Sequence, residues 1–303
     1  MHVSTGRFTR SFVALFAAGA LVAGCGDDDD EPATKSESAK PTTFAVTATA
    51  QGKKKKALEF PATVKAGLVT LTLTNSDTVA RSAQIIRVLE DHTIDDVLKV
   101  VNAESTKIPD WMQDGGGLGA VKPGATKSAT QNLAPGRYVI WDDEGGDDDD
   151  APGNDALGAK GEFMVTGEAV DAELPAVAAT VTATDEGTDT KDKKYDFTFE
   201  GLKAGTNQVR FENTGDQLHH ALFFPIIGNK TIADVRKAFE SEKGPPPVDF
   251  ENGVGTTVID GGIAQNIELD LKAGRYAVIC FLSDRKGGKS HAEQGMMKEL
   301  TVE

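Results

Sequence analysis

Short runs of apolar and polar residues, separated by glycine turns, fill most of this 303-residue chain. In the segment Asn207–Glu212, Val209 and Phe211 fall on one face of an extended strand, with polar residues between them. The run His219–Ile227 is apolar almost throughout, which is typical of a strand covered on both faces. The same reasoning predicts further strands at 179–184, 195–200, 266–271, 275–282 and 298–302.

One stretch breaks this pattern with helical spacing. A Thr-x-x-Asp sequence beginning at Thr231 resembles a capping box, and Ile232, Val235 and Phe239 then recur at intervals of three and four residues. Gly244 and the three prolines after it end the predicted helix. Many short strands around one inserted helix predict an all-β domain of the Greek-key β-sandwich type.

The same unit occurs twice in the chain. Residues from about 44 onwards match residues 138 positions later, without a gap over a long stretch. Asn75 aligns with Asn213, and the Gly-Arg-Tyr sequence at residue 136 recurs at residue 274. The repeat predicts two tandem β-sandwich domains, 44–168 and 178–303, each with one inserted helix.

The first 24 residues have the organisation of a targeting segment that is removed from the folded protein. Arg7 and Arg10 form a basic start, and the apolar run 11–24 leads to Cys25. That run is too short to span a bilayer, which takes about 20 helical residues. Small residues before Cys25 resemble the lipobox of bacterial lipoproteins. The resemblance implies that residues 1–24 are a lipoprotein signal peptide, cleaved before Cys25, and that Cys25 is lipidated. An ordinary signal peptide followed by an incidental cysteine is the alternative.

Charge and composition restrict the partners of the mature protein. Residues 25–43 are rich in charge, serine and proline, which predicts a disordered tether that begins at the lipidated Cys25. The net charge of the chain is −15. Nucleic acid is therefore an unsuitable partner, because phosphate binding needs a basic face. We expect an extracytoplasmic protein that is held at the bacterial cell membrane by its lipid.

The residues with distinctive chemistry lie near the C-terminus. Cys280 follows a predicted strand, His291 and Met296 lie on the loop after it, and His219 lies on the apolar strand. Thiolate, imidazole and thioether are the ligands of copper electron-transfer sites. If Cys25 is lipidated, Cys280 has no disulfide partner, so it is either a buried inert thiol or a metal thiolate.

Each repeat resembles a cupredoxin domain, the family of plastocyanin and azurin, and the second repeat keeps that family's order of ligands. One histidine follows an Asn-x-Gly turn at residue 213, and a cysteine, a histidine and a methionine follow later in that order. The resemblance implies one copper ion, bound by His219, Cys280 and His291 with Met296 as a weak axial ligand.

Two of these positions have neighbours of the same type. His219 and His220 face opposite sides of a strand, so we expect only one of them, His219, to be a ligand, with His220 as the alternative. Met297 is likewise an alternative to Met296. The ten basic and glycine-rich residues before His291 are more than small blue copper proteins have at this place, and they suggest a lid or a partner-docking loop.

The first repeat lacks the ligands. At the offset of 138 residues, Arg81 stands at the position of His219 and Asp142 at that of Cys280, so we expect no copper there. The acidic loop 142–150 offers carboxylates of the kind that bind Ca²⁺. A docking patch for a basic partner is another interpretation, and a solvated loop is favoured because runs of like charge are usually solvated.

No motif of an enzyme is present: there is no nucleophile elbow, no zinc-protease HExxH and no phosphate-binding glycine loop. We therefore expect a membrane-anchored cupredoxin-like protein, not an enzyme, that binds one copper for electron transfer or copper handling. Its expected partner is a redox protein or a protein that exchanges copper with it. The alternative is a metal-free cell-surface binding or adhesion module with Cys280 in its core.

Overall fold

The computed structural model describes residues 40–303, apart from 53, 104–105, 146–151, 171, 188–192 and 242–245. The predicted signal peptide, Cys25 and most of the predicted tether lie outside the described residues. The first strand already begins at Thr42, inside the stretch 25–43 predicted as tether. Among the described residues, no helix is both long and apolar enough to cross a membrane.

The described residues of each half form short strands and one helix. The first half contains β1 (Thr42–Ala50), β2 (Lys56–Glu59), β3 (Thr63–Lys65), β4 (Gly67–Asn75), β5 (Arg81–Val88), α1 (Ile94–Val101), β6 (Met112–Val121), β7 (Thr126–Leu133), β8 (Gly136–Trp141) and β9 (Lys160–Thr166). The second half contains β10 (Ala179–Glu186), β11 (Lys194–Glu200), β12 (Gly205–Asn213), β13 (Leu222–Pro225), α2 (Ile232–Ser241), β14 (Val254–Gly255), β15 (Ala264–Leu271), β16 (Gly274–Ile279) and β17 (Met297–Val302).

One eight-stranded sheet runs through both halves in the order β11-β10-β12-β15-β7-β4-β1-β2. The halves join where β15 pairs antiparallel with β7, with Ile267 opposite Ala129. Each half adds a second sheet, β3-β9-β8-β5-β6 in the first and β14-β13-β16-β17 in the second. The predicted all-β fold of two tandem sandwiches is confirmed, with one helix in each half among the described residues. The domain boundaries 44–168 and 178–303 stay a prediction, because residues 38–303 form one compact unit.

The offset of 138 residues is kept by the strands that frame the loops. It relates β4 to β12, β7 to β15 and β8 to β16 without a shift at either end. The turn after β4 is also repeated: the Asn75 side-chain amide donates to the carbonyls of Val79 and Val121, and the Asn213 side-chain amide donates to those of Gln217 and Ile259. The two halves therefore share the framework on which the predicted site depends.

The apolar strand predicted at 219–227 is shorter than expected. Regular pairing is confined to β13, with isolated bridges from His219 to Ile259 and from Ile226 to Val248 on either side. The ladder is interrupted because the Ala221 amide donates to the side-chain hydroxyl of Thr256, at 2.9 Å, instead of to a backbone carbonyl. The helix prediction is confirmed, since Asp234 accepts bonds from the amide and the hydroxyl of Thr231.

Candidate metal centre

Three fully buried side chains of the second half point their donor atoms at one another. His219 precedes β13, Cys280 follows β16 directly, and His291 lies on the loop before β17. The Cys280 Sγ lies 3.7 Å from the Nδ1 of His219 and 3.5 Å from the Nδ1 of His291. The two Nδ1 atoms are 3.1 Å apart. These atoms form the one group of three potential metal donors found among the described residues.

The size of this triangle fits a metal ion. A point equidistant from the three atoms lies about 2.0 Å from each, close to the length of a metal–imidazole bond and somewhat shorter than a metal–thiolate bond. Two imidazoles and a thiolate in a plane are the donor set of a mononuclear electron-transfer copper site. The residues present therefore fit copper by chemistry and by spacing.

Backbone hydrogen bonds fix the loop that carries these ligands. The His291 amide donates to Leu282 at 2.6 Å, and the Ala292 amide donates to Cys280 at 2.8 Å. The Met296 amide donates to His291 at 2.7 Å, and the Met296 carbonyl accepts from the Cys280 amide at 3.3 Å. Met296 is fully buried and is thus tied through its backbone to both ligands on this loop.

The alternative residues occupy different surroundings. Met297 begins β17 and packs with Val235 and Ile279 in a separate apolar cluster, whereas Met296 belongs to the main core with Cys280. The His220 Nε2 accepts the Phe281 amide at 2.9 Å, so His220 supports the backbone next to Cys280. His220 is not among the three donors that converge.

The outer nitrogen of each converging histidine faces a carboxylate. The His219 Nε2 lies 3.0 Å from Asp185 Oδ2, and the His291 Nε2 lies 3.2 Å from Asp284 Oδ1. An ionised carboxylate only accepts hydrogen bonds, so both Nε2 atoms carry the proton. Both Nδ1 atoms then present lone pairs to each other and to the sulfur. An arrangement of lone pairs this close favours a cation between them.

A lysine and a tyrosine complete the surroundings of the two carboxylates. The Lys193 ammonium lies 3.1 Å from Asp185 and 3.9 Å from Asp284. The Tyr195 hydroxyl donates to Asp284 at 2.8 Å, and its ring stacks on His291 with the centroids 4.4 Å apart. Burial opposes ionisation of Asp185, but bonds from His219, the Gln217 amide and Lys193 outweigh it and hold the pKa of this carboxyl well below its usual range.

Burial also sets the protonation of the metal-free centre. It raises the pKa of the Cys280 thiol to about 12. Burial, followed by the nearby His219, lowers the pKa of His291 to about 4. At neutral pH this centre therefore presents neutral His291 and a protonated thiol, and a metal ion has to displace the thiol proton.

Asp185, Asp284, Lys193 and Tyr195 were not among the residues predicted from the sequence. For Asp185 a signal exists, because Val181, Ala183 and Asp185 alternate on the buried face of β10. An acid on a buried strand face needs a partner. Tyr195 lies directly opposite Asp185 in the β10–β11 pair. Nothing in the sequence around Asp284 marks its position next to His291.

The long insert before His291 packs against the first half. The Arg285 carbonyl accepts the Ile108 amide at 3.0 Å, and the Arg285 guanidinium donates to the Pro109 carbonyl at 3.0 Å. The Gly288 amide donates to the Thr106 hydroxyl at 3.0 Å. These contacts tie the insert, residues 281–290, to the first half.

The first half builds the equivalent loop without metal ligands. The Asp142 amide donates to Ala159 and the Ala159 amide donates to Asn154, as between Cys280, Met296 and His291 in the second half. The Arg81 Nε donates to Asp142. The Asn154 amide group lies 3.3 Å from the same carboxylate, and a second nitrogen of Arg81 lies 3.0 Å from Asp77.

The favoured interpretation of the acidic loop 142–150 as solvated is therefore wrong for Asp142, which is fully buried and pairs with Arg81. The reason is that its side chain occupies the position equivalent to the ligand Cys280. Residues 146–150 of this loop lie outside the described residues.

Comparisons with known proteins give matches among solved structures only. No protein-family model and no curated protein sequence matches the chain. Solved structures that match include dithionite-reduced auracyanin from Roseiflexus castenholzii, with 22% identity and a TM-score of 0.28, over 43% of this chain and 100% of that one. A copper nitrite reductase from Nitrosomonas europaea matches with 17% identity and a TM-score of 0.26, over 87% and 94% of the two chains. A multicopper oxidase matches with 14% identity and a TM-score of 0.24, over 87% and 89%.

Proposed function

We propose that this protein is a one-electron carrier whose second half binds a single copper ion, and that Cys25 anchors it by a lipid to the outside of the bacterial cytoplasmic membrane. The observation that carries the copper assignment is the buried triangle of one sulfur and two Nδ1 atoms, with edges of 3.1–3.7 Å. Copper in such a site changes reversibly between its monovalent and divalent states.

The donor set favours copper over zinc. Structural zinc sites take four strong ligands in a tetrahedron. Here three strong donors lie in one plane, and the remaining candidate, Met296, offers a thioether, which is a weak and soft ligand. A plane of two imidazoles and a thiolate with a weak axial partner accepts both oxidation states of copper with little rearrangement.

The burial of the ligands supports electron transfer over catalysis. His219, Cys280 and His291 are all completely inaccessible to solvent. A substrate that must bind the metal needs an open coordination position, whereas an electron does not. Within the part of the chain that the structure describes, no other cluster of metal donors lies nearby to form a second centre. We propose that the protein is not an enzyme and exchanges electrons with a protein partner.

Anchoring is proposed from the sequence alone. The lipobox-like residues before Cys25 and the charged stretch after it support a lipidated N-terminus with a tether to the folded unit. A partner would then be another protein of the extracytoplasmic face. Mass spectrometry of the protein from its own membrane would test this: a Cys25 that carries no acyl chains would contradict the anchor.

Titration of the purified full chain with Cu(II), followed in the visible spectrum, tests the copper site. We expect a thiolate-to-copper charge-transfer band that saturates at one copper per chain and disappears on reduction. The two cysteines provide a matched pair of variants. Cys280→Ser should abolish the band, and Cys25→Ser should leave it unchanged.

Two outcomes would contradict the proposal. A chain that shows no band and binds copper tightly in neither oxidation state would favour the metal-free binding or adhesion module. A chain that binds only Cu(I), and releases it readily to a chelator, would favour copper storage or handover over electron transfer.

A further inference from the structure

We propose that Asp185, Asp284 and Lys193 make the centre selective for the divalent state of its metal, so that it binds Cu(II) in strong preference to Cu(I). This inference rests on the proposed copper function and concerns the same site. It assigns a role to three residues that do not touch the metal. They act through the ligands, as positioning and charge-setting residues.

The two carboxylates contact the ligands at equivalent atoms. Asp185 accepts from the outer nitrogen of His219 at 3.0 Å, and Asp284 accepts from that of His291 at 3.2 Å. A carboxylate at this position fixes the ring orientation and makes the imidazole a stronger donor. Because both histidines have such a partner, both metal–nitrogen bonds gain electron density.

The carboxylates are themselves held firmly and out of water. Asp185 Oδ2 also accepts the backbone amides of Asp216 and Gln217 at 2.9 and 3.0 Å. The side chains of Asp185, Asp284 and Lys193 are exposed by only 0, 6 and 7%. Charges that are buried to this degree are screened little by solvent or salt. Their sum therefore acts directly on the metal.

The charges of the buried group add up in favour of a divalent ion. The Cys280 thiolate and the two carboxylates contribute three negative charges, and Lys193 contributes one positive charge. The group thus carries a net charge of about −2, which a divalent cation neutralises and a monovalent cation leaves at about −1. The ion pair between Arg285 of the insert and Asp260 adds no net charge.

The same ligands without the carboxylates and the lysine would behave in the opposite way. A thiolate and two neutral imidazoles carry a charge of −1, which Cu(I) neutralises and Cu(II) leaves with an excess positive charge. An uncompensated charge in a buried site is unfavourable. The carboxylate pair therefore changes which oxidation state the surroundings stabilise, and it disfavours a Cu(I)-storage role.

The test is the ratio of Cu(II) to Cu(I) affinity, measured as the reduction potential of the copper-loaded full chain. Asp185→Asn and Asp284→Asn keep an acceptor oxygen and remove the charge. We expect each to lower the affinity ratio at least tenfold, which raises the potential by about 59 mV for a one-electron couple. Lys193→Gln removes the compensating positive charge, and we expect a shift of the opposite sign.

An exposed carboxylate provides the control. Asp196 pairs with Lys298 on the surface and is 56% exposed. Solvent screens such a charge, so Asp196→Asn should leave the potential unchanged. A general loss of packing would not raise the potential in two variants and lower it in the third.

The result that would overturn the inference is distinct from failure of the copper site. If the wild-type chain shows no charge-transfer band, the proposed function fails. If the band is present but Asp284→Asn and Lys193→Gln shift the potential in the same direction, or not at all, the inference is wrong. These two variants decide the matter even if Asp185→Asn, which loses more hydrogen bonds, does not fold.

Discussion

The two halves of the molecule carry equivalent loops on equivalent strands, but the side chains at these loops differ. The second half has converging metal donors, and the first half has a buried ion pair. In the second half, donor atoms with lone pairs converge on a space that suits a metal ion. In the first half, Arg81, Asp142, Asn154 and Ala159 occupy the equivalent positions, and the Arg81 guanidinium provides a cation that belongs to the chain. The comparison teaches that this position of the fold suits a positive charge: Arg81 supplies it in the first half, and we expect a metal ion to supply it in the second.

The two halves should therefore differ in how far their stability depends on bound copper. The Arg81 charge is present as soon as the first half folds, so its core does not depend on copper. In the second half, we expect the corresponding cation to be a metal ion taken from solution and held by His219, Cys280 and His291. Metal removal and ion-pair removal should therefore affect different halves.

Removal of the arginine should give the largest effect. Arg81 is fully buried and pairs with Asp142 and Asp77, so Arg81→Met leaves both carboxylates without this partner. We expect the free energy of unfolding to fall by about 3–5 kcal/mol, measured by urea denaturation. The exposed pair of Lys99 with Asp96 is the control, and Lys99→Gln should change it by less than about 0.5 kcal/mol. A loss below 1 kcal/mol for Arg81→Met would mean that the guanidinium is not the internal cation.

Copper removal should destabilise the chain by a smaller amount, which depends on the free copper concentration before removal. At a free copper concentration of 100 times the dissociation constant, binding adds about 2.7 kcal/mol to the free energy of unfolding. We expect this increment, seen as a rise in melting temperature, to vanish in Cys280→Ser. It should persist in Asp142→Asn, the equivalent position of the first half. An increment lost in both variants would show that copper binding is not confined to the second half.

The affinity for copper should depend on pH through Cys280. Burial raises the pKa of this thiol to about 12 in the metal-free protein, whereas His291, with a pKa lowered to about 4, has already lost its proton at pH 6. Binding then releases one proton, and the apparent affinity should rise about tenfold for each unit between pH 6 and pH 8. Isothermal titration in buffers of different ionisation enthalpy counts this proton. A release of zero would indicate that the thiol is already ionised.

The contact between the halves should have the smallest effect. Arg285 links the insert 281–290 to Pro109 and to Asp260. We expect Arg285→Gln to increase the rate of copper transfer to a chelator about fivefold, for a lost contribution of about 1 kcal/mol. The spectrum should stay unchanged, since no ligand moves. Lys286→Gln, on the same insert, is the matched control. An equal increase in the transfer rate in both variants would argue against a specific role for the contacts of Arg285.

The framework could be predicted from the sequence because it is local and repeated. The identical offset of Asn75 and Asn213 marks one turn in both halves, and the order of Cys280, His291 and Met296 is a pattern along one loop. The structure brings His219, Cys280 and His291 together, and it places Met296 in the core beside them through backbone bonds.

The rest depended on contacts between distant segments. The alignment put Arg81 opposite His219 and Asp142 opposite Cys280, but no pattern along the chain says that two such residues pair. The carboxylate of Asp284 reaches His291 only because the insert folds back on itself. The pairing of β7 with β15 also could not be predicted, since both strands alternate like any strand with one covered face.

That pairing of β7 with β15 limits how the protein can change in evolution. A half cut free between residues 166 and 179 would expose one of these strands as an open edge, and open edges recruit other chains and aggregate. The copy without metal ligands is therefore not dispensable. The first half can lack metal ligands and still be required, because β7 covers the edge of β15 and Pro109 holds Arg285 of the neighbouring loop.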